Sequence, residues 1–218
     1  DLTAFHIIYA DKNQHETGRD SIATKKAIEW IDGELKPFIS ALDKKTCLLV
    51  VGDHGFMNYT QSININKLFV DKGWIKLNPK TKKIESWQVV AHKSGAQAAV
   101  YIKNKKIEAQ VIKLLKKYSK NRYTIVSRKQ LREMKTYPNA ILAISAKDGF
   151  NIGAKYSGKF IEKSNKIKGQ HGHLPNQKKM HTGFIAHNCG IKKGELPDIV
   201  LNTSITPMIL KYLGLTTE

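Results

Sequence analysis

Cysteine is nearly absent from this chain, acidic residues are outnumbered by basic ones two to one, and no apolar run is long. Two cysteines in 218 residues, Cys47 and Cys189, are too few and too far apart to read as a disulfide scaffold or a thiolate metal site. Cys47 lies in the apolar run Cys47-Leu48-Leu49-Val50-Val51 and reads as a small core residue. Cys189 follows His187 and Asn188 in a turn pattern, and no third group is in view to orient His187 as a partner for a nucleophilic thiol. The longest apolar runs, 47–51 and 140–144, fall far short of the roughly 20 residues that a helix needs to cross a bilayer. The first residues carry no basic n-region, no long apolar stretch, no small-residue cleavage site and no initiator methionine, so the sequence reads as a truncated or processed chain.

What is present is globular. Hydrophobic residues make up 41% and charged residues 25%, the balance of a folding domain rather than a disordered one. The length admits one main domain with an ordinary core. The net charge of +19 gives a positive field that attracts phosphorylated substrates. Its lysines come in pairs spread along the chain (Lys25-Lys26, Lys44-Lys45, Lys82-Lys83, Lys105-Lys106, Lys116-Lys117, Lys178-Lys179, Lys192-Lys193). No interleaved aromatics accompany them, so the charge reads as a diffuse solvated surface, and no specific nucleic-acid partner is expected.

Residues 2–10 and 46–51 are continuous apolar runs of strand length. Between them Ile22, Ala23, Ala27, Ile28, Trp30, Ile31, Leu35, Phe38, Ile39 and Leu42 recur at helical spacing, which predicts a βαβ unit with parallel strands and a helix bent or divided at Gly33 and Pro37. Shorter elements follow: a helix over 66–72, a hairpin of 74–77 with 85–90, a strand over 98–103, and an amphipathic helix carrying Ile107, Val111, Ile112, Leu114 and Leu115. Next come a strand over 123–126, a helix over 128–135, a strand over 140–144, and a second hairpin of 150–156 with 159–162. Residues 182–186 form a strand and 204–213 a helix. The expectation is an α/β fold, a mostly parallel sheet with flanking helices, in which 1–60 and 168–218 form a metal-binding core and 61–167 an α+β insertion with hairpins.

Three clusters of hard metal ligands fall at the ends of apolar runs, where open α/β sheets place their ligand sites. They are Asp11 with His15, Asp53 with His54, and His171 in Gly169-Gln170-His171-Gly172-His173. Each alone has a plain reading as a cap or a solvated turn residue. Asp-His pairs after two successive strands of one unit point to a single sheet edge, and carboxylate with imidazole suits zinc, manganese or iron in hydrolytic sites.

In order along the chain, the stretches Asp11-Lys12-Asn13-Gln14-His15-Glu16-Thr17-Gly18, Val51-Gly52-Asp53-His54-Gly55-Phe56 and Gly169-Gln170-His171-Gly172 resemble the C-terminal metal motifs of the type I phosphodiesterase/nucleotide pyrophosphatase family, within the alkaline phosphatase superfamily. Met180-His181-Thr182-Gly183-Phe184-Ile185-Ala186 and the segment from Leu196-Pro197-Asp198-Ile199 to Leu213-Gly214-Leu215 resemble its closing strand and helix. The resemblance implies an alkaline phosphatase-like core, present in part. It implies two divalent metal ions, zinc first among them, with Asp11, His15 and His171 around one and Asp53 and His54 on the other. Two such ions about 4 Å apart serve in-line displacement at phosphorus. The family's threonine or serine nucleophile is expected upstream of Asp1, so the chain reads as a C-terminal fragment, inactive alone and completed by the N-terminal part of the same protein. His173 is expected to line the site or face solvent, His181 to stand behind the ligands or in the core, and His6 to be a hydrogen-bonded core residue.

The substrate implied is a phosphorylated small molecule or nucleotide, and the location is extracytoplasmic by resemblance alone. Two alternatives stand beside this reading. One is a phosphomonoesterase, phosphonate hydrolase or mutase of the same superfamily, which shares these ligands. The other is a non-catalytic polyanion-binding basic protein, whose binding would be metal-independent and salt-sensitive.

Overall fold

The computed structural model describes residues 1–191 and 197–215; the expected Lys192-Lys193 pair and Leu196 lie outside them. The chain opens without regular structure, and Leu2, Phe5, Ile7 and Ile8 are exposed. The strand expected over 2–10 is therefore absent, and His6 is exposed rather than buried in a core. An apolar run becomes a strand only when a neighbour pairs with its backbone, and none does so here among the described residues.

Helix α1 (Tyr9–Thr17) follows, with Asp11 in its first turn, where a carboxylate suits the helix dipole, and Gly18 closing it by donating its N–H to the Gln14 carbonyl. Helix α2 (Ile22–Ala41) is capped by Ser21, whose hydroxyl accepts from the Thr24 amide at 3.0 Å. It runs unbroken through Pro37, which takes away the donor for the carbonyl one turn back. Of its apolar residues only Ala27 is buried, while Ile22, Ile28, Trp30, Phe38 and Ile39 remain exposed.

Strand β1 (Leu48–Val51) pairs antiparallel with β11 (Phe184–His187), Leu48 facing His187. The pairing brings Cys47 and Cys189 to a Cα separation of 4.6 Å, and the two are joined in a disulfide. This corrects the reading of both as unpaired: a separation of 142 residues says nothing against a bond once two strands run side by side.

Strand β2 (Met57–Ile63) is the centre of a second sheet, parallel to β9 (Gly149–Ile152) on one side and antiparallel to β10 (Ile161–Gln170) on the other. The hairpin expected over 150–162 is thus replaced by two strands that flank β2 and do not pair with each other. This sheet runs across both boundaries expected for the insertion. It also holds the parallel pairing among the described strands; the other pairings are antiparallel, so the mixed α/β class is as expected but the mostly parallel sheet is not.

The remaining elements are α3 (Ile65–Asp71), the hairpin β3 (Ile75–Leu77) with β4 (Ile84–Trp87), and a four-stranded antiparallel sheet. That sheet orders β5 (Val89–Ser94), β6 (Gln97–Ile102), β8 (Leu142–Ala146) and β7 (Tyr123–Ser127). Helix α4 (Glu108–Ser119) lays Val111 and Leu115 on one of its faces, and α5 (Arg128–Glu133) lays Leu131 on the other. The main core sits there, around Ile63, Phe69, Val89, Val100, Val111, Leu115 and Ile144, each fully enclosed. Helix α6 (Ile205–Tyr212) ends the described chain with no buried residue. No helix among the described residues is long and apolar enough to cross a membrane.

Candidate metal centre

Three elements converge on one point. Helix α1 presents Asp11 and His15 from one face, a turn apart. The loop after β1 presents Asp53 and His54, and the end of β10 presents His171. A carboxylate oxygen of Asp11 and ring nitrogens of His54 and His171 all lie within 4.8 Å of one another. His15 Nε2 stands 3.6 Å from Asp11 Oδ2, and His54 Nε2 stands 3.4 Å from Asp53 Oδ2 and 4.0 Å from Asp11 Oδ1.

The tight triad is therefore Asp11, His54 and His171, with His15 and Asp53 at its edge. The resemblance implied Asp11, His15 and His171 around one ion and Asp53 with His54 on another; all five side chains gather at this one place.

The imidazoles are oriented by the backbone. His15 Nδ1 lies 3.2 Å from the Gly169 carbonyl and His54 Nδ1 lies 3.3 Å from the Gly55 carbonyl. A carbonyl can only accept, so each contact places a proton on Nδ1; in the neutral imidazole Nε2 then keeps its lone pair on the side of the carboxylates. This is the arrangement in which metal-ligating histidines are held.

The rings of His54 and His171 stack at 3.7 Å, with His15 edge-on to His171 at 5.0 Å. Burial pushes the His171 pKa down, the neighbouring His54 and His15 add to that, and Asp11 and Asp53 oppose it. Gathering three imidazoles makes sense if they are neutral and share a cation. Carboxylates beside neutral imidazole nitrogens are the donor set of a hydrolytic divalent-metal site, so the residues present fit a metal ion.

Phe56 forms the floor and was not singled out by sequence reasoning. It is 2% exposed and packs its ring 4.9 Å from His15, 5.4 Å from His54 and 5.3 Å from His171. Its place directly after the Asp53-His54-Gly55 motif is the signal in the sequence that would have found it. The loop of Asp53 is tied down by Asn202, which donates to the Asp53 carbonyl at 2.8 Å, and by the Gly55 amide, which donates to the Met180 carbonyl at 2.9 Å.

His173 is 5% exposed, with no hydrogen-bond partner on either ring nitrogen among the described residues, and burial pushes its pKa down. It does not face solvent. His181 and the remaining histidines, His92 and His187, are exposed and stand outside the triad.

A family model described as type I phosphodiesterase / nucleotide pyrophosphatase matches residues 1–174. No curated protein matches the sequence. Among solved structures, human ectonucleotide pyrophosphatase/phosphodiesterase 5 is similar with a TM-score of 0.70 at 20% identity, over 95% of this chain and 52% of that one. The inactive murine form in complex with AMP gives 0.66 at 19% over 95% and 52%, and another murine structure gives 0.58 at 20% over 81% and 44%. The chain thus spans about half the length of these relatives, and the likeness is one of fold.

Proposed function

Because the chain belongs to the type I phosphodiesterase/nucleotide pyrophosphatase family, we propose that it supplies the metal-ligand half of a hydrolase centre acting on phosphoric diesters or nucleotide pyrophosphates. The observation that carries this is the convergence of Asp11, His54 and His171, from three separate elements, within 4.8 Å. In this reading Asp11, His15, Asp53, His54 and His171 hold divalent ions, zinc by the chemistry of the donors. Such ions supply charge neutralisation at phosphorus and lower the pKa of a bound hydroxyl or water.

The chain's own residues have the task of holding that centre ready. The Gly169 and Gly55 carbonyls keep the Nδ1 protons of His15 and His54 in place, so both imidazoles present Nε2 without a change of tautomer. Phe56 excludes water from behind the three rings. The excess of lysine and arginine, 37 against 18 acidic residues, draws the anionic substrate in. AMP in the inactive murine relative supports a nucleotide as substrate class.

The attacking hydroxyl is assigned to the N-terminal part of the protein. The exposed apolar residues of 2–8 and of α2, with Val51 and Ile185, are the surface that part would cover. The Cys47–Cys189 disulfide supports an oxidising, extracytoplasmic location.

The test is hydrolysis of bis(p-nitrophenyl) phosphate and of p-nitrophenyl phosphate by this chain alone and by the chain extended upstream, with Asp53→Ala as control. Diester hydrolysis by the extended chain only, abolished by Asp53→Ala, is the expected result. Preference for the monoester selects the monoesterase reading. Activity indifferent to Asp53→Ala overturns the assignment.

A further inference from the structure

His171 occupies the end of a strand, a place where a backbone ordinarily loosens, yet its carbonyl is held. The Ala96 amide donates to it at 2.8 Å, and the Ala96 carbonyl in turn accepts from the Ala146 amide at 2.9 Å. One residue therefore links His171 to β8. Three residues beyond His171 the Leu174 amide donates to Ser145 Oγ at 3.2 Å, and Ser145 is 1% exposed. The segment 171–174 is thus fastened at both ends to the four-stranded sheet.

The contact at the first end is close enough to require glycine. Gly95 sits at φ +58°, and a Cβ there would meet the His171 carbonyl oxygen at 2.6 Å. On the other side of the contact, a Cβ on Gly172 would meet the Ala96 nitrogen and the Ser94 oxygen at 3.4 Å. Behind this turn the sheet is rigid, since Ala96, Ala98, Ile144 and Ala146 are all fully enclosed.

We infer that the Ser94–Gly95–Ala96 turn is the positioning element for His171: a backbone rest, built on the four-stranded sheet, that fixes where this imidazole meets Asp11 and His54. No side chain of the turn enters the donor set, so its action is through His171 alone. The sheet between β5 and β8 is then part of the metal centre's scaffold rather than an appendage to it. This rests on the metal reading above.

Gly95→Ala is the test, with Gly73→Ala as its control, because Gly73 has φ +69° and nothing within 4 Å of an added Cβ. Both variants carry the same left-handed backbone penalty; only the first presses on His171. In the full chain, cobalt affinity should fall about 10–100-fold in Gly95→Ala with a changed d–d absorption band, the usual scale for losing a support behind a ligand. Gly73→Ala should leave both unchanged. Ser145→Ala, a gentler variant that removes the Leu174 acceptor, should act in the same direction.

Equal cobalt binding in Gly95→Ala and Gly73→Ala overturns the inference. If the unsubstituted chain takes up no cobalt, the metal reading has failed, and the turn is judged in the metal-free protein by the His171 ring nitrogen resonances and the exchange of the Ala96 amide. Gly95→Ala or Ser145→Ala must move them while Gly73→Ala does not; if neither moves them, the inference falls.

Discussion

Removing the disulfide between Cys47 and Cys189 should cost this fold several kcal/mol. The bond spans 142 residues, and the loop-closure entropy that so long a loop withholds from the unfolded chain is worth about 5 kcal/mol at room temperature. Native disulfides typically deliver roughly 2–5 kcal/mol. Little else secures the strands that it joins: β1 and β11 form a two-stranded ladder of four residue pairs, with Val51 and Ile185 exposed. A ladder of that size is marginal by itself. Urea unfolding of Cys47→Ser/Cys189→Ser against the oxidised chain should therefore show a loss of about 2–5 kcal/mol. For a domain of this size each kcal/mol lowers Tm by roughly 2–4 °C, so the melting point should drop by about 4–20 °C. Hydrogen exchange should speed up first at β1 and β11 and then in the loop of Asp53 and His54. A loss below about 1 kcal/mol, with unchanged exchange in β1, would refute the reasoning.

Gly169→Ala should displace α1, because an added Cβ would lie 2.3 Å from the Gln14 carbonyl oxygen and 3.0 Å from the Phe56 ring, and α1 buries no residue that would resist movement. Overpacking of this kind costs about 1–3 kcal/mol, and metal affinity should fall by roughly 10–100-fold as Asp11 and His15 shift; calorimetric titration and thermal melting together check both. Acidification should destabilise the metal-free chain. Burial lowers the pKa of His171 and of His173 from 6.5, so below that value the unfolded chain binds protons that the folded chain refuses. Tm should hold above the ordinary histidine range and fall from pH 7 to pH 5.5, and a Tm that rises over this interval contradicts the account.

The helices α2, α3 and α4 were legible because each repeats apolar residues at helical spacing. Helix α1 was not, since Asp11-Lys12-Asn13-Gln14-His15-Glu16 is polar all round and offers no apolar face to read. The apolar run 2–10 misled for the opposite reason, as hydrophobicity marks a strand only where a partner strand supplies hydrogen bonds. Strands 46–51 and 182–186 were found, but not that they pair with each other, and so the disulfide that follows from their pairing was missed. The candidate donors Asp11, His15, Asp53, His54 and His171 were visible by their chemistry. What holds them was not: Phe56 acts by packing, and Gly95, Ala96 and Gly169 act through backbone contacts between residues far apart in sequence.

The most direct test is zinc titration of the metal-free chain beside Asp11→Ala, His54→Ala and His171→Ala, with each variant's fold checked by circular dichroism. The account predicts zinc binding by the unsubstituted chain and a loss of affinity of about 100-fold or more in each variant while the fold persists. Zinc binding that is absent, or that survives all three substitutions, would contradict it.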